Sequence, residues 1–320
     1  MNDPAADAAP VRQLTYTGRL GRLFGLYIAN VALNIVTLGI YRFWAKTKLR
    51  QFFHDHVFFM DEPFAYLGTG KELFVSSLKF IIQAVLPLVL LVILAEMLLP
   101  EPMKPLLWTA EVLLIGCVYL YARLSGLRYR ANRMSWRSIR FALKVERAAY
   151  LKLLVKNVVL NIVTLGLYRP RGDAALLGLF INNLYFGDLR FAYRGDLKDL
   201  QKNYIVYWLL FLPTFGCSMF WYRARLYRHI AKYTALGVME FRYNVSGGKI
   251  FGLLLGNIGI TAVSFGLLRP MAMQRSMKFF ATNLKLRGAP DFAQIQKAGK
   301  EPDGGGAADY LGADEDFGFG

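Results

Sequence analysis

The chain has 320 residues, of which 55% are apolar, 15% aromatic and only 19% charged; its net charge is +17 and its mean hydropathy +0.31. Soluble domains carry about 25% charged residues, so this composition excludes an ordinary water-facing domain, and for the body of the chain it excludes disordered, collagen-like and disulfide-rich classes. An oily chain with excess Lys and Arg points to a membrane protein whose water-facing ends are basic, and Cys117 and Cys217 are too few for a disulfide framework.

Residues 1–13 read as a disordered N-terminus. Met1 to Pro10 is rich in Ala and Asp and lacks the basic start of a signal peptide, so nothing there suggests cleavage and export. From residue 14 a strand-like motif recurs: LTYTG at 14–18, FAYLG at 64–68, FALKV at 141–145, FAYRG at 191–195 and FRYNV at 241–245. The spacings are 50, 77, 50 and 50 residues, so the second interval holds a 27-residue insertion. An apolar-Gly pair follows at a fixed phase: Leu38-Gly39, Ile115-Gly116, Leu165-Gly166, Phe215-Gly216 and Phe265-Gly266. These recurrences predict a polytopic membrane domain over 14–288, mainly α with short β-hairpins. It would consist of five repeats of about 50 residues (14–63, 64–140, 141–190, 191–240 and 241–288), each a helical hairpin flanked by short strands. The Gly would sit at the helix C′ position, where positive φ costs it nothing, and Pro170 and Pro270 would start the second helix.

Phe80 to Leu99 is twenty residues with one charge, long enough to cross about 30 Å of hydrocarbon. Other arms are shorter, so re-entrant or interfacial helices compete with full crossings, and the count is roughly five to eight. Between Arg123 and Arg140 there are six Arg and no acid, and Arg223, Arg225, Arg228 and Lys232 add a second basic run. The positive-inside rule then places these segments and the β-hairpins in the cytoplasm and the 100–105 loop outside. Arg42, Lys46, Lys48 and Arg50 fit an outer tip poorly, which points to an interfacial or re-entrant helix. From Gly288 onward seven acids face two lysines, and residues 289–320 read as a disordered acidic, Gly-rich tail.

Two constellations could carry function. Asn30, Asn34 and Thr37 stand at i, i+4 and i+7, as do Asn157, Asn161 and Thr164, and Asn257, Thr261 and Ser264. Such polar stripes either glue helices together or line a polar path for an ion, headgroup or small solute. Glu111 falls at the phase of Asn34 and is the ionisable candidate within the apolar segments. Arg42, Arg169 and Arg269 each follow the Gly by three residues, where a guanidinium can hold an anionic headgroup or simply anchor a helix end. The basic charge lies beside apolar spans and no nucleic-acid motif is present, so anionic membrane lipid is the expected partner and nucleic acid is not. His54-Asp55-His56 lacks a third ligand cluster and reads as a polar interfacial patch. Gly68-Thr69-Gly70-Lys71 lacks the P-loop spacing. No metal, cofactor or catalytic residue is expected, which disfavours an enzyme.

NIVTLGIYRFWAKTKLR at 34–50, FAYLGTGKELF at 64–74 and NIVTLGLYRPR at 161–171 resemble the YjgN-like bacterial inner-membrane proteins, a family of unknown function. The resemblance covers most of 14–290 and implies a multi-pass inner-membrane protein; it supplies no catalytic residues. The expected function is a transporter-like or anionic-lipid-binding membrane protein with an Asn/Thr-lined path. The alternative is a membrane scaffold whose cytoplasmic β-hairpins, with the tail on the same side, bind a protein partner.

Overall fold

The strands follow from strict alternation. In MSW and IRFAL, residues 134–136 and 139–143, Trp136, Ile139, Phe141 and Leu143 fall on one face and Arg140 on the other. The computed structural model describes residues 11–288 and Ile295, and it contains eleven strands. They are β1 (Val11–Gln13), β2 (Thr15–Tyr16), β3 (Val57–Phe59), β4 (Glu62–Tyr66), β5 (Met134–Trp136), β6 (Ile139–Leu143), β7 (Leu184–Phe186), β8 (Leu189–Tyr193), β9 (Thr234–Leu236), β10 (Met239–Tyr243) and β11 (Leu284–Arg287). All pairings are antiparallel, in the order β1-β11-β10-β9-β8-β7-β6-β5-β4-β3-β2.

The two edges of this sheet, β1 and β2, are successive pieces of one segment. It pairs with β11 through Val11–Gln13 and with β3 through Thr15 and Tyr16, switching partner at the buried Leu14. The sheet is therefore a nearly closed barrel, which removes the exposed edges that invite aggregation. Val11–Gln13, expected to be disordered, are part of this seam; residues 1–10 and, apart from Ile295, the tail from 289 lie outside the described residues. Two-residue turns close the strand pairs at Met60-Asp61, Arg137-Ser138, Gly187-Asp188 and Gly237-Val238, with both central residues of the first two at positive φ. Glu62 and Pro63, despite the turn-prone proline, belong to β4.

Helices leave the barrel four residues after a strand: α1 (Leu20–Val36), α3 (Gly70–Leu98, with a π turn at Ile81–Val85), α5 (Arg147–Val163), α7 (Leu197–Lys202) and α10 (Gly247–Val263). They return through α2 (Arg42–Asp55), α4 (Lys104–Asn132), α6 (Arg169–Ile181), α9 (Ser218–Lys232) and α11 (Arg269–Asn283), with α8 (Tyr204–Leu209) between α7 and α9. Polar side chains tie the returning helices to the strand exits. Gln51 donates to the Gly68 carbonyl (3.2 Å), Arg228 to that of Val245 (2.5 Å), and Arg128 to that of Val145. Gln274 donates to Gly18 at 2.7 Å, joining the last helix to the first strand segment.

This architecture overturns the expected fold class. The strands do not flank five separate helical hairpins but pair onward from one to the next, so the molecule is a helix–sheet mixture organised by one barrel. The helical segments are not equivalent either. Gly116, expected to break a helix, lies inside the uninterrupted α4, and 197–232 is divided among three helices. Among the described residues two helices are long and apolar enough to cross a membrane, Gly70–Leu98 and Glu101–Asn132, and their apolar windows are almost wholly exposed in the chain alone.

Candidate functional site

The barrel interior is built by the inward half of each strand. Phe64, Phe141, Phe191 and Phe241 occupy matching places on β4, β6, β8 and β10, with successive ring centroids 6.5, 6.5 and 5.9 Å apart. Trp136 and Phe186 fill the adjoining level, 6.0 Å apart, and the Trp136 indole donates to the Glu62 carbonyl at 3.2 Å. Between these rings lies a cavity of about 250 Å³, bounded on the helix side by His54, Met277 and Phe280. Apart from His54, every side chain lining it is aliphatic, aromatic or a methionine. Ile295 is buried in the same core.

The second feature lies at the far ends of the short helices. α1, α5, α8 and α10 lead into turns whose tips are Leu38, Leu165, Phe215 and Phe265, all at φ near +50°, each followed by a Gly at φ of +81° to +90°. The Gly amide reaches back five residues, to Asn34 O, Asn161 O, Phe211 O and Thr261 O at 2.7–2.8 Å, which is the Schellman bond. The residue at C′ is therefore the apolar one, not the Gly. An L side chain in that left-handed conformation is strained, yet Leu38, Phe215 and Phe265 are 94–97% exposed, pointing away from the barrel into the surroundings. Arg42, Arg169 and Arg269 begin the helices that follow. Arg42 is exposed and lies 5.2 Å from the Phe43 ring centroid; Arg169 is exposed, with Nε 3.7 Å from Asp173; Arg269 is half-buried.

The Asn/Thr residues are distributed over three helix pairs and bond within each. Asn30 Nδ2 donates to Ala45 O (3.5 Å), Asn157 Nδ2 to Gly172 O (3.0 Å) and Asn257 Nδ2 to Ser276 Oγ (2.9 Å), in each case across to the returning helix. Asn161 Nδ2 donates to Asn157 O at 2.7 Å. Thr37, Thr164 and Ser264 each donate to the carbonyl four residues back and accept the amide four residues on, from Tyr41, Tyr168 and Leu268, so they pin the turn. Thr261 offers its carbonyl to Gly266. The amide oxygens of Asn34, Asn157, Asn161 and Asn257 are buried without a hydrogen-bond partner among the described residues. So is Glu111 Oε1, which sits apart from these pairs on α4.

Some polar groups carry more than their sequence context suggested. Thr214 pins the third turn as Thr37 pins the first, donating to Leu210 O and accepting from Ser218 N. Asp173, on α6, accepts from Tyr222 Oη at 2.8 Å. Burial pushes its carboxyl above the ordinary range, against the Tyr222 hydrogen bond and the charges of Arg169 and Arg223. The one sequence signal was an acid in the otherwise apolar and basic run RPRGDAALL. His54 and His56 cap their own helix, Nδ1 lying 2.7 Å from Arg50 O and Phe52 O, and no group of three or more metal-binding side chains occurs among the described residues.

A barrel of short strands carrying two lipid-length helices and exposed apolar turns defines a membrane protein. The chain belongs to the family described as "Bacterial protein of unknown function (DUF898)", whose model matches residues 11–220 and 205–311. It is similar to "Inner membrane protein YjgN" of Salmonella typhimurium, 26% identical over 232 residues, covering 62% of this chain and 56% of that one. The protein of the same name from Escherichia coli K12 is 24% identical over 238 residues, covering 64% and 58%. The aligned part thus spans little more than half of these relatives. It agrees with the exposed apolar helices in making this a bacterial inner-membrane protein. No solved structure matches.

Proposed function

We propose that this protein is anchored by one crossing hairpin, α3–α4, and grips anionic lipid in one leaflet through its short helix pairs. The observation that carries the reading is the coupling of an exposed apolar tip with an arginine one turn on, at Leu38/Arg42, Leu165/Arg169 and Phe265/Arg269. Lengths support it. The apolar stretch Phe80–Leu99 begins ten residues beyond the start of α3, about 15 Å above the barrel, whereas a 17-residue α1, α5 or α10 rises about 25 Å. Tips at that height enter the hydrocarbon by about 10 Å and hold their arginines at headgroup level, where each contributes about 1 kcal/mol toward anionic lipid. In this reading the Asn and Thr residues secure the helix pairs, and transport is not required of them.

The barrel and the tail then face the cytoplasm, because residues 80–122 carry a single cation, Lys104, while the barrel side carries most of the others. The test is nanodisc reconstitution of the full chain, with bound lipid identified by native mass spectrometry. Arg42→Ala/Arg169→Ala/Arg269→Ala should retain the fold and lose stoichiometric phosphatidylglycerol or cardiolipin by up to about 100-fold in affinity. Unchanged lipid retention would refute the assignment.

A scaffold role has one supporting observation, the outward Arg190 on β8 and Arg242 on β10, both exposed on strands that flank β9. Charge reversal at these two should release an acidic partner protein. Arg190 also donates to Asn182 O and Arg242 lies 3.5 Å from Glu240, but both are exposed, whereas Arg128 and Arg133, bonded to Val145 O and Glu72, are half-buried.

A further inference from the structure

We propose that the barrel lumen is a binding site for a single alkyl chain. Three observations meet there. The lumen is a cavity of about 250 Å³ whose lining holds one polar side chain, His54, so a ligand can gain only by apolar contact and its headgroup must stay outside. Apolar cavities of even about 150 Å³ stay dry and take up apolar molecules, and this one opens to its surroundings, so a ligand can enter. The walls are aromatic rings in a ladder, Phe64, Phe141, Phe191 and Phe241, interspersed with Met134, Met239 and Met277, whose flexible thioethers adapt to a chain.

An aliphatic side chain from beyond the barrel already packs in this core. Ile295, seven residues past the end of the described body, is 8% exposed and buried with Leu14, Phe59, Trp136 and Met239. β11 ends beside the turn Gly237-Val238, at the barrel end opposite the helices, with Gly288 lying against Val238 O. The helix-side end is bounded by Met277 and Phe280 of α11, and Phe280 is among the exposed large apolar residues. In the orientation proposed above, that is the end facing the bilayer, about 15 Å from the hydrocarbon. The occupant is thus the alkyl chain of a lipid, entering past Phe280.

The experiment is a titration of the delipidated full chain in detergent with cis-parinaric acid, a fluorescent C18 fatty acid, read by energy transfer from tryptophan. Saturable one-to-one binding is expected, with transfer reduced in Trp136→Phe. Leu236→Phe, which fills the lumen, should weaken binding at least tenfold with the melting temperature kept or raised. If that variant does not fold, Phe241→Ala, which enlarges the lumen, should shift the preferred chain length upward. Absence of saturable binding, or binding indifferent to both lumen variants, would overturn the proposal. Mass spectrometry of lipid extracted from the purified protein separates the two sources, a free fatty acid or one chain of a phospholipid; either supports the site. The Arg42/Arg169/Arg269 triple variant should bind cis-parinaric acid normally, so failure of the headgroup reading and failure of the lumen reading are told apart.

Discussion

The barrel and the helix tips use the same residue types in opposite ways. Phe186 and Phe191 are buried within the strand ring, while Phe215 and Phe265 stand almost fully exposed at the ends of turns. The strand period sends every second residue inward onto its neighbours' rings. The Schellman turn holds one apolar residue in a left-handed conformation with nothing over it. Apolar content therefore has two meanings in this chain. In the barrel it is the driving force for folding; at the tips it is exposed surface, which the proposed function assigns to lipid.

The sharpest way to break the comparison is to truncate one phenylalanine from each class. Phe186→Ala removes a ring packed 4.8 Å from Phe141 and 6.0 Å from Trp136, and it should cost about 3–5 kcal/mol, read as a large fall in melting temperature in detergent. Phe215→Ala should leave stability within about 0.5 kcal/mol of wild type. Equal losses would show that the tips are packed core rather than lipid-facing surface.

A middle-sized effect separates helix pairing from lipid contact. Asn157→Leu deletes the donor to Gly172 O and brings a bulkier side chain against that backbone, so a loss of about 1–3 kcal/mol is expected with lipid retention preserved in the folded fraction. If lipid is lost while stability holds, the Asn stripe lines a polar path after all.

At the tips themselves, Phe265→Gly relieves the left-handed strain and should stabilise the detergent-solubilised protein by about 1 kcal/mol while weakening its hold on liposomes. The two effects should have opposite sign; destabilisation in detergent would mean that Phe265 packs within the protein. The smallest effect concerns Asp173. Its carboxyl is raised in the folded state, so the fold binds more protons there than the unfolded chain, and stability falls as pH rises through the interval above the ordinary carboxylate value. Asp173→Asn, which keeps an acceptor for Tyr222, should flatten that slope in melting curves recorded between pH 4 and about 7.

Much of the local structure could be read from residue order. The strand motifs at 14, 64, 141, 191 and 241 are strands, Pro170 and Pro270 open helices, and Phe80–Leu99 lies in one of the two long apolar helices. What misled was treating recurrence as independence. Ile115-Gly116 has the phase of the turn pairs, but the run from Lys104 to Asn132 is apolar enough to continue as one helix, and a lone Gly costs only about 1 kcal/mol inside it. The C′ assignment failed for a related reason: Gly is the usual left-handed residue, but here the Leu or Phe before it takes that place, held by the Gly amide. The Asn stripes were found as helical faces, yet periodicity does not tell whether an amide faces its own returning helix or a shared channel. The lumen had no sequence signal of its own beyond alternating aromatics.

Composition and order decided that this chain belongs with lipid, that its charge is basic, and where its strands and helices begin, because hydropathy and backbone preference act locally along the chain. Tertiary structure decided that the strands form one barrel rather than separate hairpins. Ring closure depends on Val11–Tyr16 pairing with residues more than 270 positions away on one side and about 40 on the other, and hydrogen bonding between strands carries no mark in either partner alone. The same closure turns Phe64, Phe141, Phe191 and Phe241 toward a common interior and leaves the helix tips exposed.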